Sequence, residues 1–176
     1  NNGTQSGGVT LNSSGKIDGA DLFDGSNDYV NFTYSYFTSN FTFSAWVYPR
    51  AANGNIYEER VSAADRAVYI QSNSLVFGWY AGGVNTTSGG TVSNNSWSHV
   101  AGTWDGTTRR IYVNGTQVNS GTPTAPTTGS QQWIALGRND TGTGWSGGLD
   151  YWFNGTIDEV RVSNTARSAD WINQSY

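Results

Sequence analysis

The stretch "HVAGTWDGTTRRIYVNGTQV", residues 99–118, decides the fold. It reads as strand, tight turn, strand, tight turn, strand. Val, Thr, Ile, Tyr and Trp favour extended backbone. Asp105-Gly106 and Asn114-Gly115 are dipeptides that close antiparallel hairpins, where positive φ is needed. The segment carries no obvious catalytic group. His99 is the only histidine of the chain. With no serine elbow or second histidine motif to serve, it reads as an oriented scaffold residue on a strand. A segment this regular and this inert is scaffold, which leaves any activity to loops and surfaces.

The flanking sequence extends the same pattern. "ADLFDGSNDYVNF" gives a short apolar strand, a turn at Asp24-Gly25 and another strand. "FTFSAWVYP" carries apolar groups on both faces, as a central strand does, and Pro49 ends it. "GNIYEER", "RAVYIQS", "SLVFGWYAGG", "QWIALGR" and "FNGTIDEVRVSN" read as further strands. "GVTLN" reads as an edge strand inside a polar N-terminal segment, residues 1–19. Residues 85–96 read as a polar connection, and "NDTGTGWSGGLDYW" as a long Gly-rich loop. "SADWINQ" fits one helical turn with Ser168 as N-cap. About a dozen short strands with turn signals near every tenth residue predict an all-β, two-sheet antiparallel sandwich. No linker or repeat divides residues 1–176, which read as one domain.

Composition narrows the function. Charged residues make up 12% of the 176, and the net charge is -4 with Lys16 the single lysine. Without a basic cluster, a nucleic-acid surface is not expected. No apolar run is long enough to span a membrane, and no leader-like segment opens the chain, which reads as a mature product or an excised domain. With no cysteine, disulfides, zinc–thiolate sites and thiol catalysis are excluded. Ten N-x-Ser/Thr sequons begin at Asn2, Asn12, Asn31, Asn40, Asn85, Asn94, Asn114, Asn139, Asn154 and Asn173. Their density suits a glycosylated, exported protein of the extracellular space or cell surface.

Six pieces in order, "LFDGSNDYVNF", "FTFSAWVYP", "WSHVAGTWDGTTRRIYVNGTQV", "IALGR", "FNGTIDEVRVSNTARS" and "ADWI", carry a resemblance. From about Ala20 to Tyr176 the chain resembles the laminin-G-like jelly-roll domain of the concanavalin A-like lectin and glucanase superfamily. The resemblance implies two antiparallel sheets packed face to face. It makes the hairpin of residues 99–118 a core element, with Trp97, Val100 and Tyr112 as packing residues.

Some members of that superfamily are glycoside hydrolases, which need two carboxylates on one cleft, ~5.5 Å or ~6.5–9.5 Å apart. The Glu-x-Asp-x-x-Glu strand of the glucanase branch is not found here. Glu58-Glu59 and Asp158-Glu159 are adjacent, so on a strand each pair divides between two faces. A non-catalytic protein is therefore expected. Glu58, Glu59, Arg60 and Arg66 read equally as surface ion pairs of little energetic weight.

Two kinds of site remain. The resemblance implies a structural calcium at a sheet edge, and calcium takes six to eight oxygens. Asp21, Asp24, Asn27 and Asp28 in "DLFDGSND" and Asp158 and Glu159 in "GTIDE" can supply them if the first and last strands are neighbours, which places the ion near Asp24, Asn27, Asp28 and Asp158. Asn139 and Asp140 form a second candidate. Sugars present apolar C–H faces to aromatic rings, and Trp79, Tyr80, Trp145 and Trp152 are the expected platform. The function expected is recognition or adhesion toward a carbohydrate or a cell-surface protein. The alternative is a glycosylated structural subunit that self-associates, with the N-terminal segment pairing with a neighbour's sheet edge.

Overall fold

The computed structural model describes residues 3–12, 14–32, 40–61, 64–126, 131–138 and 151–176, with the backbone alone at 11, 12, 61, 64, 131 and 132. Among the described residues, fourteen strands build two seven-stranded antiparallel sheets. The first sheet runs β1 (Thr4–Ser6), β4 (Tyr29–Phe32), β13 (Gln131–Leu136), β6 (Gly54–Val61), β7 (Ala64–Gln71), β8 (Ser74–Tyr80), β9 (Val84–Thr91). The second runs β12 (Thr116–Gly121), β11 (Arg109–Val113), β10 (Ser98–Trp104), β5 (Phe41–Pro49), β14 (Asn154–Ser163), β3 (Ala20–Asp24), β2 (Thr10–Asn12). The predicted sandwich is observed.

Side chains alternate along each strand, so every second residue enters the space between the sheets. Phe41, Phe43, Ala45 and Val47 of β5 do so, opposite Tyr57, Val68, Ile70, Leu75 and Phe77 of the first sheet, all nearly solvent-free. The hairpin of residues 99–118 becomes β10, β11 and β12, with Val100 and Ile111 in this core. Tyr112 is buried on the opposite face against Ile172 of the helix α1 (Ala169–Ser175). Ser168 caps that helix, its hydroxyl accepting from the Trp171 N–H at 3.2 Å. Trp97 is half-buried, edge-on to Tyr48.

The two turns differ in chemistry. Asn114 (φ 50°) and Gly115 (φ 75°) both adopt the left-handed region of a two-residue hairpin turn. At the other turn only Gly106 does. There the Asp105 carboxylate accepts from the N–H groups of Thr107 and Thr108 at 2.9 and 2.7 Å, which makes a longer, side-chain-closed loop.

Residues 85–91, the first part of the expected polar connection 85–96, belong to the strand β9. "VNTTSGGT" lacks apolar alternation because an edge strand needs only one partner, here β8. Gly90 (φ 69°) lets β9 approach the second sheet: a Cβ there would meet Val113 at 2.8 Å and Val118 at 3.0 Å. The polar N-terminal segment, which the structural-subunit alternative pairs with a neighbour's sheet edge, pairs on one side with strands of its own chain. Thr4–Ser6 adds to β4 and Thr10–Asn12 to β3, so one short segment edges both sheets.

Candidate functional site

The outer face of the first sheet gathers aromatic and polar side chains. Tyr29 and Asn31 of β4, and Trp133 and Ala135 of β13, alternate with the core residues Val30, Ile134 and Leu136, so they point outward. Arg138, just past β13, lays its guanidinium between two rings, 5.0 Å from the Tyr29 centroid and 4.8 Å from that of Trp133. Trp152 adds a third ring, 6.3 Å from Tyr29 and tilted by 45°. All four side chains are half-buried. Each ring is thereby held by packing and keeps part of its surface open, a state that suits stacking against a sugar face.

Polar groups flank the stack. Asn55 is buried, and its Nδ2 donates to Glu58 Oε2 at 2.8 Å and to the Arg138 carbonyl at 2.7 Å. Its backbone N–H donates to the Tyr151 carbonyl at 2.9 Å. One asparagine thus fixes the backbone at Arg138 and at Tyr151, on both sides of the aromatic cluster. Asn31, Ala135, Glu58, Ala67, Gly78 and Thr86 form one cross-strand row beside the stack, and its middle members Ala135, Glu58 and Ala67 are buried.

The expected platform is only partly assembled. Trp152 belongs to the cluster. Tyr80 lies on the same face and is 39% exposed, but β8 stands three strand steps from β13, roughly 14 Å. Trp79 does not belong. Its neighbour Tyr80 takes the outward position, so Trp79 points inward and is 0% exposed. There its ring packs edge-on against Trp104, with centroids 4.9 Å apart, and its Nε1 donates to the Thr124 carbonyl at 2.8 Å. Trp145 lies outside the described residues, as do Asn139 and Asp140. Tyr29, Trp133 and Arg138 escaped the sequence reading because alternation shows that two residues share a face, not which face is outward.

Of the expected calcium ligands, Asp24, Asn27 and Asp28 share one turn, and Asp158 stands apart from them. Asp24 sits opposite Asn154 on β14, whereas Asp158 is four residues further along that strand, near Asp21. That separates Asp24 from Asp158 by roughly 13 Å along the ladder. Most of their bonded oxygens face backbone N–H groups, while Asp28 Oδ1 is buried without a partner among the described residues. Asp24 Oδ1 accepts from the N–H groups of Ser26 and Asn27. Asp28 Oδ2 accepts from the Asp24 N–H, and the Asn27 amide reaches the Gly7 carbonyl. Asp158 Oδ2 and Oδ1 accept from Ile17 and Glu159. Four residues at two ends of a ladder, mostly committed to backbone N–H groups, do not form one six-to-eight-oxygen shell. Among the described residues no group of three or more acidic or histidine side chains is arranged to hold a metal.

Glu58 and Glu59 divide between the two faces as expected, but they are not surface groups. Both are fully buried, and Arg66 is 3% exposed. Glu59 enters the sandwich interior, 3.7 Å from the Arg66 guanidinium. Burial pushes its carboxyl up, with Arg66 pulling the other way. On the outer face Asp65 meets Arg60 at 3.8 Å. His99 is buried scaffold, 3% exposed, against Trp46 and Tyr176. Of the sequon asparagines, Asn40, Asn94, Asn114 and Asn173 are exposed, while Asn31, Asn85 and Asn154 are half-buried. Asn2 and Asn139 lie outside the described residues, and so does the side chain of Asn12.

These features define a two-sheet β-sandwich with an aromatic, polar-flanked outer face. The chain belongs to the concanavalin A-like lectin/glucanase superfamily, whose laminin-G-type model matches residues 24–173. Among solved structures it is similar to domain 4 of an extracellular arabinanase from Geobacillus stearothermophilus, determined in complex with arabinotriose. Identity there is 20% and the TM-score 0.78, over 98% of this chain and 86% of that one. It is also similar to the binding domain of Paraclostridial Mosquitocidal Protein 1 (14%, TM-score 0.74), matching over 99% of this chain and 46% of that one. A third similar structure is a heptameric SAP-like pentraxin from Limulus polyphemus (14%, 0.65), over 94% and 79%. A comparison with curated protein sequences gives no match. Among the described residues no helix is long and apolar enough to cross a membrane.

Proposed function

We propose that this domain is a non-catalytic carbohydrate-recognition module of an exported or cell-surface protein. The observation that carries the reading is the half-open stack of Tyr29, Arg138 and Trp133 with Trp152 beside it on one sheet face. Rings supply the C–H stacking surface, and Arg138 and Asn31 supply donors and acceptors for hydroxyls, with Asn55 holding the backbone of Arg138 in place. The similar arabinanase domain, solved with a bound arabinotriose, supports the same reading. The division of Glu58 and Glu59 between opposite faces favours binding over hydrolysis, because two carboxylates must share one cleft to cleave a glycosidic bond.

The test is a glycan array followed by titration of its best hit. Trp133→Ala and Trp152→Ala are each expected to cost on the order of 2 kcal/mol, about thirty-fold in affinity, with melting temperature little changed. Folded variants that bind as the wild type would overturn the assignment, and release of shorter saccharides from the bound glycan would overturn the non-catalytic part. The second reading, a glycosylated structural subunit, is favoured by the exposed sequons at Asn40, Asn94, Asn114 and Asn173. Light scattering and intact mass of native material separate the two. A monomer fits recognition, and large assemblies heavier than 19.0 kDa per chain fit structure.

A further inference from the structure

We propose that Arg109 forms the base of a second binding site, one that takes a carboxylate-bearing saccharide. Arg109 opens β11 and shares its face with Ile111 and Val113, so its side chain enters the interior of the sandwich, where it is 1% exposed. Its guanidinium lies 4.2 Å from the Trp79 ring centroid and 5.6 Å from that of Phe77. Nε donates to Thr87 Oγ1 and Nη1 to the Asn85 carbonyl, each at 2.9 Å. Both acceptors are uncharged. Among the described residues no carboxylate comes within ion-pairing distance of it; the carboxylates that pair at all do so with Arg60, Arg66, Arg110 and Arg161. Burial lowers its pKa to about 10, which leaves it charged at neutral pH.

A buried cation without a counter-ion is costly to a fold, and apolar residues of like volume are tolerated better at such positions. The neighbouring Ile111 and Val113 show that the strand itself asks for an apolar side chain here. What the position offers is a pocket of about 400 Å³ that opens onto the guanidinium between β9 and the segment after β12. Thr86, Thr87, Gly121, Thr122 and Pro123 line it with Asn85 and Val84. That volume suits a small ligand. The Thr87 hydroxyl accepts from Nε, so its own proton is available to donate. Among the described residues Nη2 has no acceptor. A carboxylate placed there receives Nη2–H and the threonine O–H and supplies the missing charge, the planar pairing for which a guanidinium is suited. Threonine hydroxyls and the Pro123 and Val84 side chains supply the polar and apolar contacts a sugar ring needs. The site stands four strand steps from the Trp133 cluster, roughly 19 Å, so it holds or falls independently of the reading above.

The test titrates the folded domain with glucuronate, glucose and acetate. Glucuronate is expected to bind, glucose not at the same concentration, and acetate at least tenfold more weakly. Arg109→Met is expected to abolish glucuronate binding while raising the melting temperature. Equal binding of glucose and glucuronate, no binding of glucuronate, or undiminished binding by Arg109→Met would overturn the proposal. Acetate as tight as glucuronate would overturn its saccharide part. A lower melting temperature for Arg109→Met would make the arginine a support of the fold and overturn it as well. Should that variant not fold, the Arg109 Nε–H resonance of the wild type decides: a shift confined to it on adding glucuronate is expected, and an unmoved signal overturns the site.

Discussion

Trp79→Ala is expected to destabilise the domain by roughly 3–5 kcal/mol, a large part of the roughly 5–15 kcal/mol that holds a domain folded. The ring is fully buried, contacts Phe77 and Trp104, and covers the Arg109 guanidinium. Its removal opens a cavity, leaves the Thr124 carbonyl without its 2.8 Å donor, and strips an apolar wall from a buried charge. Chemical denaturation measures the loss as a lower midpoint at unchanged slope. Tyr80→Ala, one residue away and facing out, is the contrast: a surface change expected to stay within about 0.5 kcal/mol. If Trp79→Ala kept wild-type stability and lost only glycan binding, Trp79 would be a ligand residue and its assignment to the core would be wrong.

The second large effect is acid sensitivity through His99. Burial, together with the positive charge of Arg161, lowers its pKa to about 4 from the usual 6.5. The native imidazole stays neutral where the unfolded one takes a proton. Stability is therefore full above pH 6.5 and is lost as pH falls toward 4, by roughly 3 kcal/mol in all. At pH 5.5 unfolding should take up about 0.9 proton through this residue, a slope near 1.2 kcal/mol per pH unit. Glu59 works in the opposite sense: its carboxyl is pushed up by burial, so acid relieves its cost in the native state. Comparing wild type with His99→Phe separates the two. The variant is expected to lose the slope between pH 5 and 6.5, and an unchanged slope would mean that His99 is not held neutral.

The sandwich was legible because local rules agree with the tertiary fold. Alternation in β5 and β10, the Asn114-Gly115 turn and the Ser168 cap each specify backbone without reference to distant residues. β9 was not legible, since its strand character comes wholly from pairing with β8 and nothing in "VNTTSGGT" announces it. The candidate site was half legible for a related reason. Trp152 is an aromatic in a Gly-rich context and stands out. Trp133 sits inside a regular strand, where an outward ring and a core ring look alike. Trp79 shows the converse error, because proximity to a loop does not set the parity of a side chain. The charged cluster of β6 and β7 looked like ordinary surface, since no local signal says that a carboxylate such as Glu59 will face inward. Arg109 could have been found from alternation, as it falls in register with Ile111 and Val113, an ionised group in an apolar row.

The way the sheet borders are finished bears on crowding. β1 and β2 are two halves of one segment, each already bonded to an inner strand. At the other side β9 and β12 face each other across the gap, with Asn119 Nδ2 donating to the Ser88 carbonyl at 2.7 Å. Bare ladders are what let β-proteins stack into ordered aggregates. Here the edge strands β1 and β2 are only three residues long, which leaves little ladder for a neighbour to extend, and β9 and β12 are tied to each other. Short and mutually tied borders of this kind reduce the ladder that one sheet offers to another.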